Sequence, residues 1–385
     1  MSRSCTSSYT WTSRRLIVNH TLRCTPVDYT RAWPSAAATV AVVVASTSEA
    51  VTMRLSQVLP SWDRHLLSRS GVALVMHHSL DQPPSFVAAK LHLQLSRCGV
   101  DLPTHDHHCA CTHDGNQAIL VRREFAAPAG LRTGEPSADL LRFRPKGFCS
   151  AHGMEYVIGT KSFVLQVLTL EVLEYFDFFA KVDVDVFVVQ PVDIAAAMRR
   201  ANAHWLHTFD VDSAKSPQCT GTLAEHLKPY LAGAGCSVTD APAAHELAAT
   251  PARAWPTFYS NFVAGWLGLW TSPQVLQYAQ YWWAWPGGWR FRWTDQEFWA
   301  AALSVTGSWP RVLNLSGWRD SRFVHCDERA MRGRDPRCPE LVRSNDPRLA
   351  AADGLKALTA GKTTGDLIRM HAQHALKGLG GTSTG

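Results

Sequence analysis

With 385 residues, 46% of them hydrophobic and 18% charged, the chain is long enough for one large or two ordinary globular domains and too apolar to be disordered throughout. Its longest mostly apolar stretch, Ala36 to Ala45, is about ten residues against the roughly 20 a bilayer span needs, so no membrane span is expected. The formal charge of +6 favours anionic ligands such as nucleotides, yet no Lys/Arg run reads as a nucleic-acid-binding arm.

Residues 1–35 are polar and read as a poorly ordered tail, in which Leu16, Ile17 and Val18 are too few for the apolar centre of a secretory signal. From Thr39 the β-branched run TVAVVVA predicts a buried parallel strand, EAVTMRLSQVLPSWDRHLLSR a helix and GVALVMH a second strand. Residues 98–150 mix Pro, Gly, His and Cys and read as loops around one strand, QAILVRREF. SFVLQVLTLEVLEYF then predicts a helix, KVDVDVFVV a strand, VDIAAAMRRAN a helix and AHWLHTFDV a strand, before a loop over 213–254. Eleven of the fifteen Trp fall between Trp255 and Trp318, which places an aromatic-lined site there. The alternation makes the fold class α/β, with a site beyond the carboxyl ends of the strands. The main domain spans 36–330, and 331–385 form a tail with a helix around Asp366 to Leu376. Ten scattered Cys leave the disulfides and the compartment open.

The sharpest chemical signal is Asp183-Val-Asp185. On one continuous strand both carboxylates would share a face, about 7 Å apart, repelling each other and losing hydration. A divalent cation compensates both, and two carboxylates with phosphate oxygens suit Mg²⁺ or Mn²⁺. Asp-x-Asp also arises by chance about once in a chain of this length, and Asp210-Val-Asp212 is a second copy. A second signal is Tyr259-Ser-Asn-Phe262, followed by Ser272-Pro273 as a helix start and Gly287-Gly288 leading to Arg292-Trp293-Thr-Asp295. A loop carboxylate between an Arg and aromatics suits sugar hydroxyls, and equally Asp295 caps a helix beginning at Gln296. The tract His105 to His113 is too crowded for a regular zinc site, Gly361-Lys362-Thr363 lacks the first Gly of a phosphate loop, and His371 with His374 lacks a third ligand. Asn19-His-Thr21 and Asn314-Leu-Ser316 fit the glycosylation pattern, which matters in a secreted chain.

Taken together, these stretches resemble the yeast-type α-1,2-mannosyltransferase family, retaining nucleotide-sugar glycosyltransferases of GT-A fold. The resemblance rests on Ala38 to Ala45 with Ser48-Glu49, Gln57-Val58 and Asp63-Arg64; on Tyr175-Phe-Asp177 through Asp185; on the aromatic-Ser-Asn-Phe and Gly-Gly to Trp-Thr-Asp elements; and on Gly317-Trp318 with His325. It implies a GT-A-like, Rossmann-type mixed sheet flanked by helices, and transfer of mannose from GDP-mannose to a glycan or glycoprotein acceptor with retention, in the Golgi or secretory pathway. By the same resemblance Asp183, Asp185 or both hold Mn²⁺ or Mg²⁺ with His325, and Asp295 is the catalytic carboxylate. Tyr259, Asn261, Arg292 and Trp293 bind substrate, and Ser46 and Thr47 meet the nucleotide. Three positions depart from the family: Val263 stands where an acidic residue follows Asn-Phe, Ser46-Thr47 replace Arg-Asn, and His77-His78 replace Asn-Asp. Two other readings therefore stand beside the first, a catalytically inactive carbohydrate-binding protein on the same scaffold and a GT-A enzyme using UDP-sugars.

Overall fold

The structure, a computed structural model, describes residues 27, 29, 31–35, 37–46, 48–79, 81–101, 106–113, 115–122, 154–208, 223–250, 256–285, 288, 293–318, 321–326 and 335–345. Two compact units divide the chain, 1–325 and 326–385. The bulk of the expected N-terminal tail, the expected helix at 366–376, Asp210, Asp212, Thr47 and Arg292 lie outside the described residues.

The first unit is built on a nine-stranded mixed sheet. β1 (Val40–Ser46) is almost wholly buried, as its run of valines requires, and is followed by helix α1 (Glu49–Trp62). Ser48 caps α1 by accepting from Val51 N, and Glu49 places a negative charge in its first turn. β2 (Val72–His78) returns parallel to β1. Helix α2 (Pro84–Lys90) leads to an antiparallel meander, β3 (Gln94–Asp101), β4 (Asp106–His113) and β5 (Asn116–Arg122), of which β5 pairs parallel with β2. The loops expected at 98–101 and 106–113 are thus strands, and β5 falls on the expected strand QAILVRREF. Cys109, Cys111, Ala118 and Leu120 supply the buried face, an alternation disguised by polar neighbours.

Helix α3 (Met154–Gln166) starts earlier and stops sooner than the helix read at 162–176, whose second half is two short 3-10 turns. The segment KVDVDVFVV is not one strand. β6 (Phe178–Val182) ends before Asp183, a turn closed by Val186 N donating to Asp183 O at 3.1 Å follows, and β7 (Val186–Val188) joins a separate ladder. This break takes the two carboxylates out of the apolar sheet and sets them at its end. α4 (Ile194–Ala201), capped by Asp193 and ended by left-handed Asn202, leads to β8 (Trp205–His207). Residues 223–250, read as loop, hold α5 (Leu223–Gly233) and α6 (Pro242–Ala249). β9 (Phe262–Trp266), α7 (Pro273–Ala284), α8 (Asp295–Val305), β10 (Val312–Asn314) and β11 (Phe323–His325) complete the unit.

The sheet order is β10-β8-β9-β6-β1-β2-β5-β4-β3, with β11 pairing antiparallel to β7 alone. β6 runs parallel to β1 and antiparallel to β9. Behind the sheet, Trp205, Trp270 and Trp299 meet at centroid distances of 4.8 to 5.0 Å, with Phe179 beside them. α8 is buried all round and packs against α3, α6 and α7. Trp266, Trp270, Trp282, Trp293 and Trp299 of the tryptophan-rich stretch are therefore core. In the second unit, α9 (Arg337–Asn345) carries Cys338, disulfide-bonded to Cys326.

Candidate active site

The site forms where β6 and β11 end and β9 begins, on the carboxyl side of the parallel strands, as open α/β sheets require. Each element is positioned by bonds that the local sequence explains. Trp62, at the end of α1, donates Nε1–H to Val186 O at 2.7 Å, and Ser61 Oγ accepts from Val188 N at 3.2 Å. One side of β7 is thereby fixed to α1. Its other side takes β11 in a register that sets His325 opposite Val186, next to Asp185. Phe262 and Phe323 stack at 3.9 Å beneath this point and hold the starts of β9 and β11 together.

Two polar clusters result, joined through Asn261. In the first, His325 Nε2 lies 3.3 Å from Asp185 Oδ2 and 2.7 Å from Asn261 Nδ2, with the Tyr259 ring edge-on to the imidazole at 5.8 Å. Burial opposes the charge on Asp185, but the hydrogen bond and charge of His325, with Arg54, outweigh it and hold the carboxyl below its usual range. In the second, Lys181 Nζ donates to Asp183 Oδ1 at 2.5 Å and to Ser260 O at 2.8 Å, and lies 3.5 Å from Asp295 Oδ2. Burial works against this ammonium, yet attraction to Asp183 and Asp295 prevails and pushes it up to about 12. Asp183 goes the other way: burial, only partly offset by Lys181 and reinforced by Asp185 and Asp295, raises its carboxyl to about 6. Asp183 N donates to Asn261 O at 2.9 Å, which ties the acidic turn to the Tyr259–Asn261 segment.

Asp183, Asp185, Tyr259, Asn261, Asp295 and His325 thus lie together at this edge of the sheet. Lys181 was missed. No local signal marks it, because β6 ends at Val182 and the tertiary fold turns the ammonium onto Asp183 and Asp295. Asp295 is the first residue of α8 and not its cap. The cap is Thr294, whose N–H donates to Glu297 Oε2 at 2.8 Å in a capping box. The Asp295 carboxylate is left for Lys181 and for Trp299 Nε1–H at 3.3 Å, and its side chain is 2% exposed.

Two other expected contacts go elsewhere. Trp293 is 1% exposed and packs on Trp285 and His226, and a Cβ on Gly288 would press on Lys161 Nζ and Trp293 at 3.0 and 3.3 Å. Ser46 does end β1 at the correct edge of the sheet, but its hydroxyl is buried and bonded to Thr52 Oγ1 at 2.7 Å and Ser48 O at 3.2 Å. It shapes the loop and offers no side chain to a ligand. Val263 is fully buried opposite Lys181, so no carboxylate enters the site from β9.

Among the described residues no three His, Cys, Asp or Glu side chains are gathered so as to hold an ion by themselves. The Asp185–His325 pair nevertheless suits one. Adjacent ligands at roughly 2.1 Å from a divalent ion stand about 3 Å apart, close to the 3.3 Å observed.

The structure is similar to core-mannan synthase A (CmsA/Ktr4) from Aspergillus fumigatus, solved in a Mn/GDP form, with 15% identity, a TM-score of 0.50 and 77% of each chain covered. It is also similar to the mannosyltransferase Ktr4p of S. cerevisiae in complex with GDP, with 11% identity, a TM-score of 0.53, and 76% of this chain and 74% of that chain covered. The chain has the GT-A fold. No family model and no curated protein matches the sequence. No helix among the described residues is long and apolar enough to cross a membrane.

Proposed function

We propose that the protein is a metal-dependent glycosyltransferase that transfers mannose from GDP-mannose to a glycan acceptor with retention of configuration. The observation that carries the reading is the convergence of Asp183, Asp185, Asn261 and His325 at the carboxyl edge of a GT-A sheet. The two mannosyltransferases of similar fold, each solved with GDP and one with Mn as well, support the choice of donor. Asp185 and His325 would hold Mn²⁺ or Mg²⁺, with diphosphate oxygens completing its shell. When bound, such an ion offsets the negative charge that grows on the diphosphate as the glycosidic bond breaks.

The chain's own groups have separate tasks. Lys181 holds Asp183 and Asp295 in place, its Nζ 2.5 Å from one carboxylate and 3.5 Å from the other. Asn261 Nδ2 lies 2.7 Å from His325 Nε2, the ring atom that would face the ion, so it would have to give up that contact when the ion binds, while the Asn261 carbonyl receives the Asp183 amide. Tyr259 shields the outer side of the imidazole. Asp295, which by sequence resemblance would contact the sugar, is buried against Lys181 and Trp299, and its proposed task here is to position Lys181.

Disulfides at Cys98–Cys109 and Cys326–Cys338, with Cys236 bonded as well, support a place in an oxidising compartment, the secretory pathway.

A second reading is favoured by Val263, which removes a carboxylate where the resembling family has one: a protein that binds the donor and does not turn it over. A thermal-shift panel of GDP, GDP-mannose, UDP and UDP-sugars with Mn²⁺, run beside transfer and hydrolysis assays, separates the readings. The account expects stabilisation by the GDP ligands, about 2.7 kcal/mol at a hundredfold excess over Kd, and turnover of GDP-mannose. Stabilisation without turnover establishes the binder, and a response to UDP ligands alone overturns the choice of nucleotide.

A further inference from the structure

We infer that Asn314 is a site of asparagine-linked glycosylation, carrying its glycan at the outer edge of the sheet. The sequence Asn314-Leu315-Ser316 has the required spacing, but spacing is common, and the structure supplies the rest. Asn314 is the last residue of β10 and is exposed, as are Ser316 and Gly317. Ser316 N donates to Asn314 Oδ1 at 2.8 Å, an Asx turn that commits the carboxamide oxygen to the local backbone and leaves Nδ2 on the opposite side of the group. A Cβ placed on Gly317 would meet nothing within 4 Å, so the space beside the turn is open. Leu315 N donates to His207 O at 2.9 Å, and Trp318 N to Leu315 O at 2.7 Å, which holds the turn outward from the sheet.

Among the described residues β10 is the terminal strand of the sheet, bonded to β8. A glycan there covers an edge that would otherwise be a template for pairing with another chain. β10 runs parallel to β8, which is antiparallel to β9 as β6 is, so Asn314 and Asp183 lie at the same end of the sheet. Three strand spacings, about 14 Å, separate β10 from β6. The glycan would therefore stand on the rim of the candidate site's face.

The second, independent observation is the set of disulfides. Cys98–Cys109 and Cys326–Cys338 are bonds of an oxidising lumen, which is also where asparagine acceptors meet lipid-linked oligosaccharide. In the modification, Asn314 Nδ2 attacks C1 of the first sugar of an oligosaccharide joined to a lipid through diphosphate. The Nδ2–C1 bond forms as the C1–O bond to diphosphate breaks. Its electron pair leaves on the lipid diphosphate, and Nδ2 gives up one proton to a base of the transferring enzyme.

The inference rests on the secretory placement and not on the transferase reading, which the donor panel tests separately. The full chain is secreted from a eukaryotic host behind a cleavable signal and mapped by peptide mass spectrometry, before and after peptide-N-glycosidase treatment in heavy-oxygen water. The expected result is complete or near-complete conversion of Asn314 to heavy-oxygen Asp. Asn314→Gln and Ser316→Ala each remove one glycan by gel mobility, Ser316→Thr keeps it, and Asn19→Gln leaves the 314 glycan unchanged. An unmodified Asn314 peptide from a chain whose Cys98–Cys109 bond has formed overturns the site. Free thiols at Cys98 and Cys109 in that chain overturn the compartment and the site with it.

Discussion

Two regions of the molecule use their side chains in opposite ways. The tryptophan-rich region around α7 and α8 looks functional because aromatic side chains suit sugars, yet Trp270, Trp282, Trp293 and Trp299 are almost completely buried, with Trp270 against Trp299, Trp282 against Phe298 and Trp293 against Trp285. The short turn at residues 183–185 contains little more than two carboxylates, and it is there that an amide, an imidazole and an ammonium gather. Aromatic density marks where the molecule is held rigid, while a broken strand marks where it is open to chemistry. The rigid half supports the open half directly: Trp299, in the centre of the core, donates its indole N–H to Asp295, which in turn faces Lys181.

The largest expected effect lies in the rigid half. Trp299→Ala empties a site walled by Phe179, Trp205, Trp270 and Phe298 and releases Asp295, and should cost about 3–5 kcal/mol in urea unfolding. A loss under about 1 kcal/mol would show that the aromatic cluster is not the core. Next comes Lys181→Met, which strands one buried and one partly exposed carboxylate. About 2–3 kcal/mol is expected, discounted for the 32% exposure of the Asp183 side chain. The double variant Lys181→Met/Asp295→Asn should recover much of it, and additive losses would deny the coupling.

The same comparison predicts an acid-labile core. Burial, with the charge of Lys161 nearby, holds His226 down to about 3, and burial with Arg311 holds His204 down to about 4. Between those values and the unfolded pKa near 6.5, the unfolded chain takes protons that the folded chain refuses, so stability falls as pH drops through that window. Tm should therefore decline from about pH 7 to about pH 4.5, and decline less in His226→Gln. Asp183, raised to about 6 in the fold, opposes the decline with one group against two, so a profile as steep in His226→Gln as in the parent would deny the buried imidazole its part.

Sequence made β1, β2 and the strand–helix alternation legible because both faces of the central strands are buried and Val, Ala, Leu and Met fill all but their last positions. It concealed β3 and β4 because one face of that meander is polar, so His and Cys interrupted the apolar pattern. The acidic pair was legible by spacing, and His325 only through resemblance, since no local pattern links it to Asp185 across 140 residues. The ladder of β11 on β7 creates that link. Lys181 escaped notice because a lone Lys in a strand usually reaches solvent, and only the tertiary fold shows it turned onto Asp183 and Asp295. Trp293 and Ser46 were misjudged for one reason: a residue type suited to a ligand is equally suited to packing or capping, and burial decides between them.

The smallest expected change in stability belongs to Asp185→Ala, about 1 kcal/mol, and it carries the decisive measurement. Titrating Mn²⁺ into the protein with GDP present, and following the free ion by electron paramagnetic resonance, should show the ion captured by the parent and left in solution by Asp185→Ala. Capture by Asp185→Ala as tight as that of the parent would contradict the assignment of the ion to Asp185 and His325, and with it the account of how this edge of the sheet works.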